Sequence, residues 1–370
     1  MTIRNLLSVV GLLSFSFLHA QTLPSWSIGP FVRPEGKNPI INIDTVGFRD
    51  PMSQSWLRWK ESDVFNPAAV LHKGKICILY RAEDNSATGI GKRTSRIGLA
   101  ESKNGLDVTN MPSTPVVYPA EDNQKENEWP GGCEDPRVAV TDDGTYVMLY
   151  TQWNRKVPRL AVAHSSDLRH WTKYGPVFSK AYDGKFKDMP TKSASVVTTP
   201  AKGRLVITQV KGKYLMYWGE RHVYMATSAD LINWEPLVDD RGELVELISP
   251  RKGYFDSRLT ECGPPAVLTK DGIVLMYNGK NAENDEDADK NYTLNSYCAG
   301  QVLFDKTNPT KVLARLDKPF LKPEAYFEKS GQYPAGTVFI EGLVLKNKKW
   351  FLYYGCADSK VAVATSDNKK

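Results

Sequence analysis

Four acidic residues, Glu134, Asp135, Glu220 and Glu261, stand at matching places in segments of the chain that resemble one another. A lone carboxylate is most often half of a surface ion pair, but four at equivalent positions call for a shared purpose. Two carboxyl groups about 6.5 to 9.5 Å apart can cleave a glycosidic bond with inversion, one protonating the leaving oxygen while the other activates a water held between them. Around these acids the same segments supply Asn66, Arg81, Arg137, Gln152, Lys192, Tyr277, Asn278 and Asp358. Carboxylates, amides and cations together both donate and accept hydrogen bonds, as sugar hydroxyls require.

The elements that must position these groups are visible as repeats. Five times the chain runs a short strand, a tight turn and an aromatic-rich second strand. The units open at Asn66 (NPAAVLHKGKICILYRA), Glu134 (EDPRVAVTDDGTYVMLYTQ), Lys192, Glu261 (ECGPPAVLTKDGIVLMYNG) and Ala335. Turns at Asp143-Gly144 and Asp271-Gly272 suit hairpins, because a positive φ costs Gly little. A third strand follows most units, and two close on related phrases, SSDLRHW ending at Trp171 and SADLINW ending at Trp234. The pattern predicts an all-β fold, a five-bladed β-propeller, in which radial repetition protects the sheet edges. First strands would line the axis. Asn66, Glu134, Asp135, Lys192 and Glu261 would then converge there, joined by Arg81, Gln152, Glu220, Asn278 and Asp358 from the ends of second strands. Tyr80, Tyr150, Trp218, Tyr277 and Tyr354 could face a sugar ring, although for most of them blade core is the better expectation.

Arg4 followed by the apolar run Leu6 to Leu18 reads as a signal peptide over residues 1–20. The run is shorter than the roughly 20 apolar residues that span a bilayer. One domain over residues 21–370, exported to the periplasm or beyond and not inserted in a membrane, is therefore expected. The 48 basic and 42 acidic residues give a net charge of +6 with no basic stripe, which argues against nucleic acid as a partner. The five cysteines show no short metal-ligand spacing and read as small buried apolar residues. The acidic stretch Glu283 to Asp289 lacks the Gly and terminal Glu of a calcium loop. No metal or cofactor is expected.

From about Phe65 to the C-terminus the chain resembles glycoside hydrolase family 130, the mannoside phosphorylases and mannosidases. The resemblance is carried by Glu134-Asp135-Pro136-Arg137, Gly263-Pro264-Pro265, NPTKVLAR from Asn308, Glu341-Gly342-Leu343 and YYGCAD from Tyr353. It implies a five-bladed propeller and a β-mannoside oligosaccharide as substrate. It also implies that Asp135 supplies the proton, in the phosphorylases by relay through a sugar hydroxyl. Arg81, Arg137, Lys192 and Asp358 match residues that hold the mannose or line the adjoining site. Trp218-Gly219-Glu220 stands where the phosphorylases resemble a His-Arg-Pro phosphate-holding motif, and Glu261 and Asn278 replace their Gly and His. Two carboxylates in place of basic groups would repel a phosphate dianion by about 4 kcal/mol per charge pair at 4 Å. That substitution predicts an inverting, exo-acting hydrolase of β-1,2-linked mannosides, with Glu220 and Glu261 holding the water. A mannoside phosphorylase is the alternative. A non-catalytic sugar-binding propeller and an arabinanase-like enzyme rank below it, and the latter lacks its blade-one Asp at Asn66-Pro67.

Overall fold

The computed structural model describes residues 22–367; the expected leader, 1–20, lies outside them. The structure is all-β, with helix confined to Lys125–Glu128 and two 3-10 turns among the described residues. After a short pair, Phe48–Arg49 with Trp56–Leu57, the strands fall into five consecutive antiparallel units. The first contains Asp63–His72, Lys75–Glu83, Ser95–Ser102 and Val108–Asn110. The second contains Gly132–Val140, Tyr146–Trp153, Pro158–Ser165 and Thr172–Pro176. The third runs from Ala194–Ala201 through Lys213–Trp218 and Tyr224–Ser228 to Glu235–Pro236. It is lengthened by the short strands Arg204–Ile207 and Gln209–Val210, as its longer sequence repeat foretold. The fourth has a first strand broken into Leu259–Cys262 and Ala266–Leu268, then Ile273–Lys280, Tyr297–Phe304 and Val312–Arg315. The fifth has three strands, Val338–Lys346, Lys349–Cys356 and Lys360–Asp367. Its outer edge is met by the N-terminal segment through bridges Val32 to Thr365 and Ile41 to Val361.

Most strands are buried on both faces, so they read as continuous apolar runs rather than strict alternation. Five apolar clusters explain this. Each lies between two successive units, and one joins the fifth unit to the first through Tyr353, Val363, Ile78 and Tyr80. Tyr80, Tyr150, Trp218, Tyr277 and Tyr354 all belong to this core. Glycine makes room for one of them: a Cβ at Gly300 would stand 2.3 Å from the ring of Tyr277, its cross-strand neighbour. The five cysteines are buried and unpaired. First strands of units one, two and five, with Leu205 and Pro265, converge on a cavity of about 10 Å³ lined by Ala69, Val138, Leu343 and similar residues. That end of the fold is plugged by apolar side chains.

Candidate active site

The opposite ends of the same first strands are polar, and a local backbone device aims their side chains. Pairing slips between Phe65 and Pro67, between Glu134 and Arg137, and between Ile340 and Gly342. Asn66 and Asp135 are the extra residues in the first two slips, with φ of 46° and 49°. Asn and Asp tolerate the left-handed region better than other side chains, and the prolines that follow them have no N–H to leave unpaired. Such bulges re-aim a side chain out of the strand's alternation. Ser193, just before the third unit's first strand, has φ of 57°, and Asp358 in the fifth unit has φ of 51°.

Asn66, Asp135 and Asp358 meet in a cavity of about 230 Å³ that also takes in Arg81, Glu83, Lys192, Glu220, Glu261, Tyr297 and Tyr333. A second cavity of about 250 Å³ is lined mainly by apolar and backbone groups around Ile28, Val267, Leu268 and Trp350; its lining has two acids, Asp271 and Asp367, with Lys270 as the one cation. The chemistry belongs to the first.

One side of the site is tightly bonded. Asn66 Nδ2 donates to Asp135 Oδ1 at 2.8 Å, and Arg81 Nη1 donates to the same oxygen at 3.1 Å. Arg81 Nη2 reaches Glu83 Oε1 at 2.6 Å and Glu134 Oε1 at 2.9 Å, while its Nε donates to Ser95 Oγ at 3.0 Å. One guanidinium thus faces three carboxylates and cannot hold all of them ionised. Burial raises the pKa of Asp135, but Arg81, Lys192, Arg137 and the Asn66 bond outweigh it and hold the group at about 2. Burial wins at Glu134, pushed up to about 7, and at Asp358, pushed up to about 6.

The other side is open. Lys192 Nζ lies 3.3 Å from Glu220 Oε1 and 3.8 Å from Glu261 Oε1. Ser193 Oγ donates to Glu261 Oε1 at 2.5 Å. The Glu220 side chain is 48% exposed, whereas Glu261 is buried. Burial, reinforced by Glu220 and opposed by Lys192, pushes Glu261 up to about 7. Burial lowers the pKa of Lys192, but Glu261, Glu220 and Asp135 carry it well above the usual lysine value.

Asn66, Arg81, Asp135, Lys192, Glu220, Glu261 and Asp358 therefore come together as the sequence predicts. Five others do not line the cavity. Glu134 stands behind Arg81 as its counter-ion. Arg137 lies beneath the floor, donating to the carbonyls of Asp135 and Cys262 at 2.9 Å each and pairing with Glu341 at 3.0 Å. Gln152 is buried against Gln124, Glu128 and Tyr150. Tyr277 is core, its hydroxyl donating to Asp256 at 2.7 Å. Asn278 spans units four and five, accepting from Ile340 N and donating to Ile340 O. Glu134, Arg137 and Asn278 spend their polar atoms on joining units, whereas Gln152 and Tyr277 spend theirs inside their own. Glu220 also departs slightly from expectation, since it sits in the turn beyond the strand ending at Trp218.

Sequence reasoning missed Glu83, Tyr297, Gln332, Tyr333 and Phe339 in the wall. Glu83 was within reach, because two residues on from Arg81 along a strand faces the same side. Tyr297, Gln332 and Tyr333 carry no such signal: Tyr297 opens the third strand of unit four after a long loop, and Gln332 and Tyr333 lie in the loop between units four and five. Among the described residues no cluster of His, Cys, Asp and Glu is arranged to hold a metal, and no helix is long and apolar enough to cross a membrane.

A recessed floor of carboxylates, cations and amides beside aromatic rings has the make-up of a carbohydrate-active site on an all-β scaffold. The chain belongs to glycoside hydrolase family 130: residues 36–370 match the family model described as β-1,4-mannooligosaccharide phosphorylase. It is 34% identical over 316 residues to the 1,2-β-oligomannan phosphorylase of Thermoanaerobacter sp. (strain X514), covering 84% of this chain and 92% of that one. It is 28% identical to the β-1,2-mannobiose phosphorylase of the same organism, with the same coverage of both chains. A solved structure 57% identical, with TM-score 0.93, covers 95% of this chain and 97% of its own. It is described under the statement that the family of mannoside phosphorylases contains glycoside hydrolases that target β-1,2 mannosidic linkages in Candida mannan.

The expectation of hydrolysis as the main activity is corrected by the curated relatives, which are named phosphorylases. The charge argument behind that expectation counted Glu220 and Glu261 as two bare anions. In the structure Lys192 stands against both, and Glu261 holds its proton into the neutral range.

Proposed function

We propose that the protein cleaves β-1,2-linked mannosides by passing a terminal mannosyl group to inorganic phosphate, with inversion, to give α-mannose 1-phosphate. The names of the curated relatives support the acceptor and the linkage. The observation that carries the reading in this chain is the Lys192 ammonium between Glu220 and Glu261 on the open side of the cavity. A protonated Glu261 donates a hydrogen bond to an entering oxyanion instead of repelling it. The Lys192 ammonium stands 3.3 Å from Glu220 on the same side and offsets it.

Mannose would occupy the tightly bonded side, its hydroxyls meeting Asn66, Asp135 and Asp358. A carboxyl held at about 2 is not a standing acid at neutral pH. Asp135 instead accepts from a sugar hydroxyl and steers that hydroxyl's proton toward the leaving oxygen. The proton count closes without another acid, because the proton that the sugar hydroxyl gives to the leaving oxygen is replaced by the one hydrogen phosphate loses as it becomes the ester dianion. A cavity of about 230 Å³ suits a chain end better than a chain interior, so the action is exo.

The scaffold is read as a five-bladed propeller, each antiparallel unit a blade. The cluster joining the fifth unit to the first is its support. Export remains a proposal on the apolar leader, and an intact mass beginning near Gln21 tests it. For the activity, the initial rate of mannobiose cleavage is measured against phosphate concentration. Saturable dependence on phosphate is expected; an undiminished rate in phosphate-free buffer would overturn the reading.

A further inference from the structure

Tyr297 lines the same cavity yet was assigned no part in the reaction above. It opens the strand Tyr297–Phe304, and its N–H donates to the Gly336 carbonyl at 3.0 Å. Its ring is held on several sides. Tyr333 packs at 5.5 Å and Phe339 at 5.6 Å between centroids, and the Lys280 ammonium lies 5.2 Å from the ring centre. These contacts fix the ring without using the hydroxyl. Tyr333 differs, because its hydroxyl is already committed to the Asn295 carbonyl at 3.0 Å. The Tyr297 hydroxyl has no hydrogen-bond partner among the described residues, and it is within electrostatic reach of Glu261 and Lys192. Burial and the neighbouring Glu261 hold the phenol protonated well beyond its ordinary range, so it is available as a donor.

The geometry points to Tyr297 as a further substrate-binding residue, whose hydroxyl donates to the acceptor oxyanion on the Lys192–Glu261 side of the cavity. This rests on the phosphorolytic reading, because the oxyanion is the phosphate that reading invokes. Lys192 supplies the charge and Glu261 a proton, while Tyr297 adds a directed donor from the third strand of the fourth unit. Losing a hydrogen bond to a charged group lowers affinity by about ten- to hundredfold.

The test compares wild type with Tyr297→Phe, which keeps the ring packing and deletes one oxygen. The KM for phosphate should rise about tenfold or more, while KM for β-1,2-mannobiose and the melting temperature change little. Calorimetric titration of phosphate into mannose-loaded protein reads the same bond without turnover. An unchanged phosphate KM and an unchanged phosphate affinity would overturn the assignment and leave mannoside phosphorolysis intact. A wild type whose rate ignores phosphate would instead remove the functional reading, and absence of calorimetric phosphate binding in that wild type would remove the role of Tyr297 with it.

Discussion

The two sides of the cavity differ in how much of their hydrogen-bonding capacity is already spent. On one, Asn66, Arg81, Glu83 and Asp135 are bonded to one another at 2.6 to 3.1 Å, and all four are buried. On the other, Lys192 reaches its two acids at 3.3 and 3.8 Å, and one of them is half in solvent. A preorganised cluster fixes where charge sits before the substrate arrives, so nothing must reorganise as the bond breaks. A looser cluster with an unspent cation can admit a mobile acceptor. On the proposed phosphorolysis, the contrast would place the sugar on the first side and the acceptor on the second.

Removing the central acid of the tight side should have the largest effect. Asp135→Asn keeps the bond from Asn66 but loses the charged acceptor that steers the sugar hydroxyl's proton, so turnover should fall about 10²- to 10⁴-fold in steady-state assays. Near-normal turnover would mean that this side does not handle the proton. Next comes Arg137, which the structure puts beneath the floor. Arg137→Met strands the buried Glu341 carboxylate, and breaking such a pair costs about 3–5 kcal/mol, visible in a denaturant titration. Full stability with weakened sugar binding would move Arg137 back into the site. On the open side, Lys192→Met should raise the phosphate KM roughly ten- to hundredfold and spare mannose affinity. Equal losses for both ligands would erase the distinction between the sides.

The smallest effect is on the pH dependence of stability. Glu261 is raised from 4.5 to about 7 in the folded protein, so between those values the folded state binds more protons than the unfolded state. Stability from this group is present below about 4.5 and declines as pH rises toward 7. Glu261→Gln should flatten the fall in melting temperature across that window. Asp135 has the opposite sign: its stabilisation is full above the ordinary aspartate range and is lost as pH falls toward 2. A slope unchanged in Glu261→Gln would show that Glu261 titrates normally.

Repeat length and strand patterning made five units legible in the sequence, because each unit must bury both faces against its neighbours. The acids were legible for a related reason, since units that share a geometry put equivalent residues on one axis. What the repeats could not reveal was depth. Arg137, Gln152, Tyr277 and Asn278 share the strand positions of true wall residues, but Arg137 and Asn278 tie units together below the floor, while Gln152 and Tyr277 bond within their own units. Nor could they show Tyr297, at the mouth of unit four's third strand, or Gln332, in the loop between units four and five. The acceptor was misread because the sequence counts carboxylates but not their protonation, and a lysine two residues from a strand gives no sign of standing between two of them.

The most direct test of the division between the two sides follows the fate of the cleaved mannosyl group. Phosphorus and proton NMR of β-1,2-mannobiose with millimolar phosphate should show one α-mannose 1-phosphate formed for each bond broken. Free mannose accumulating from both halves of the disaccharide, with no new phosphorus signal, would contradict the assignment of phosphate to the open side.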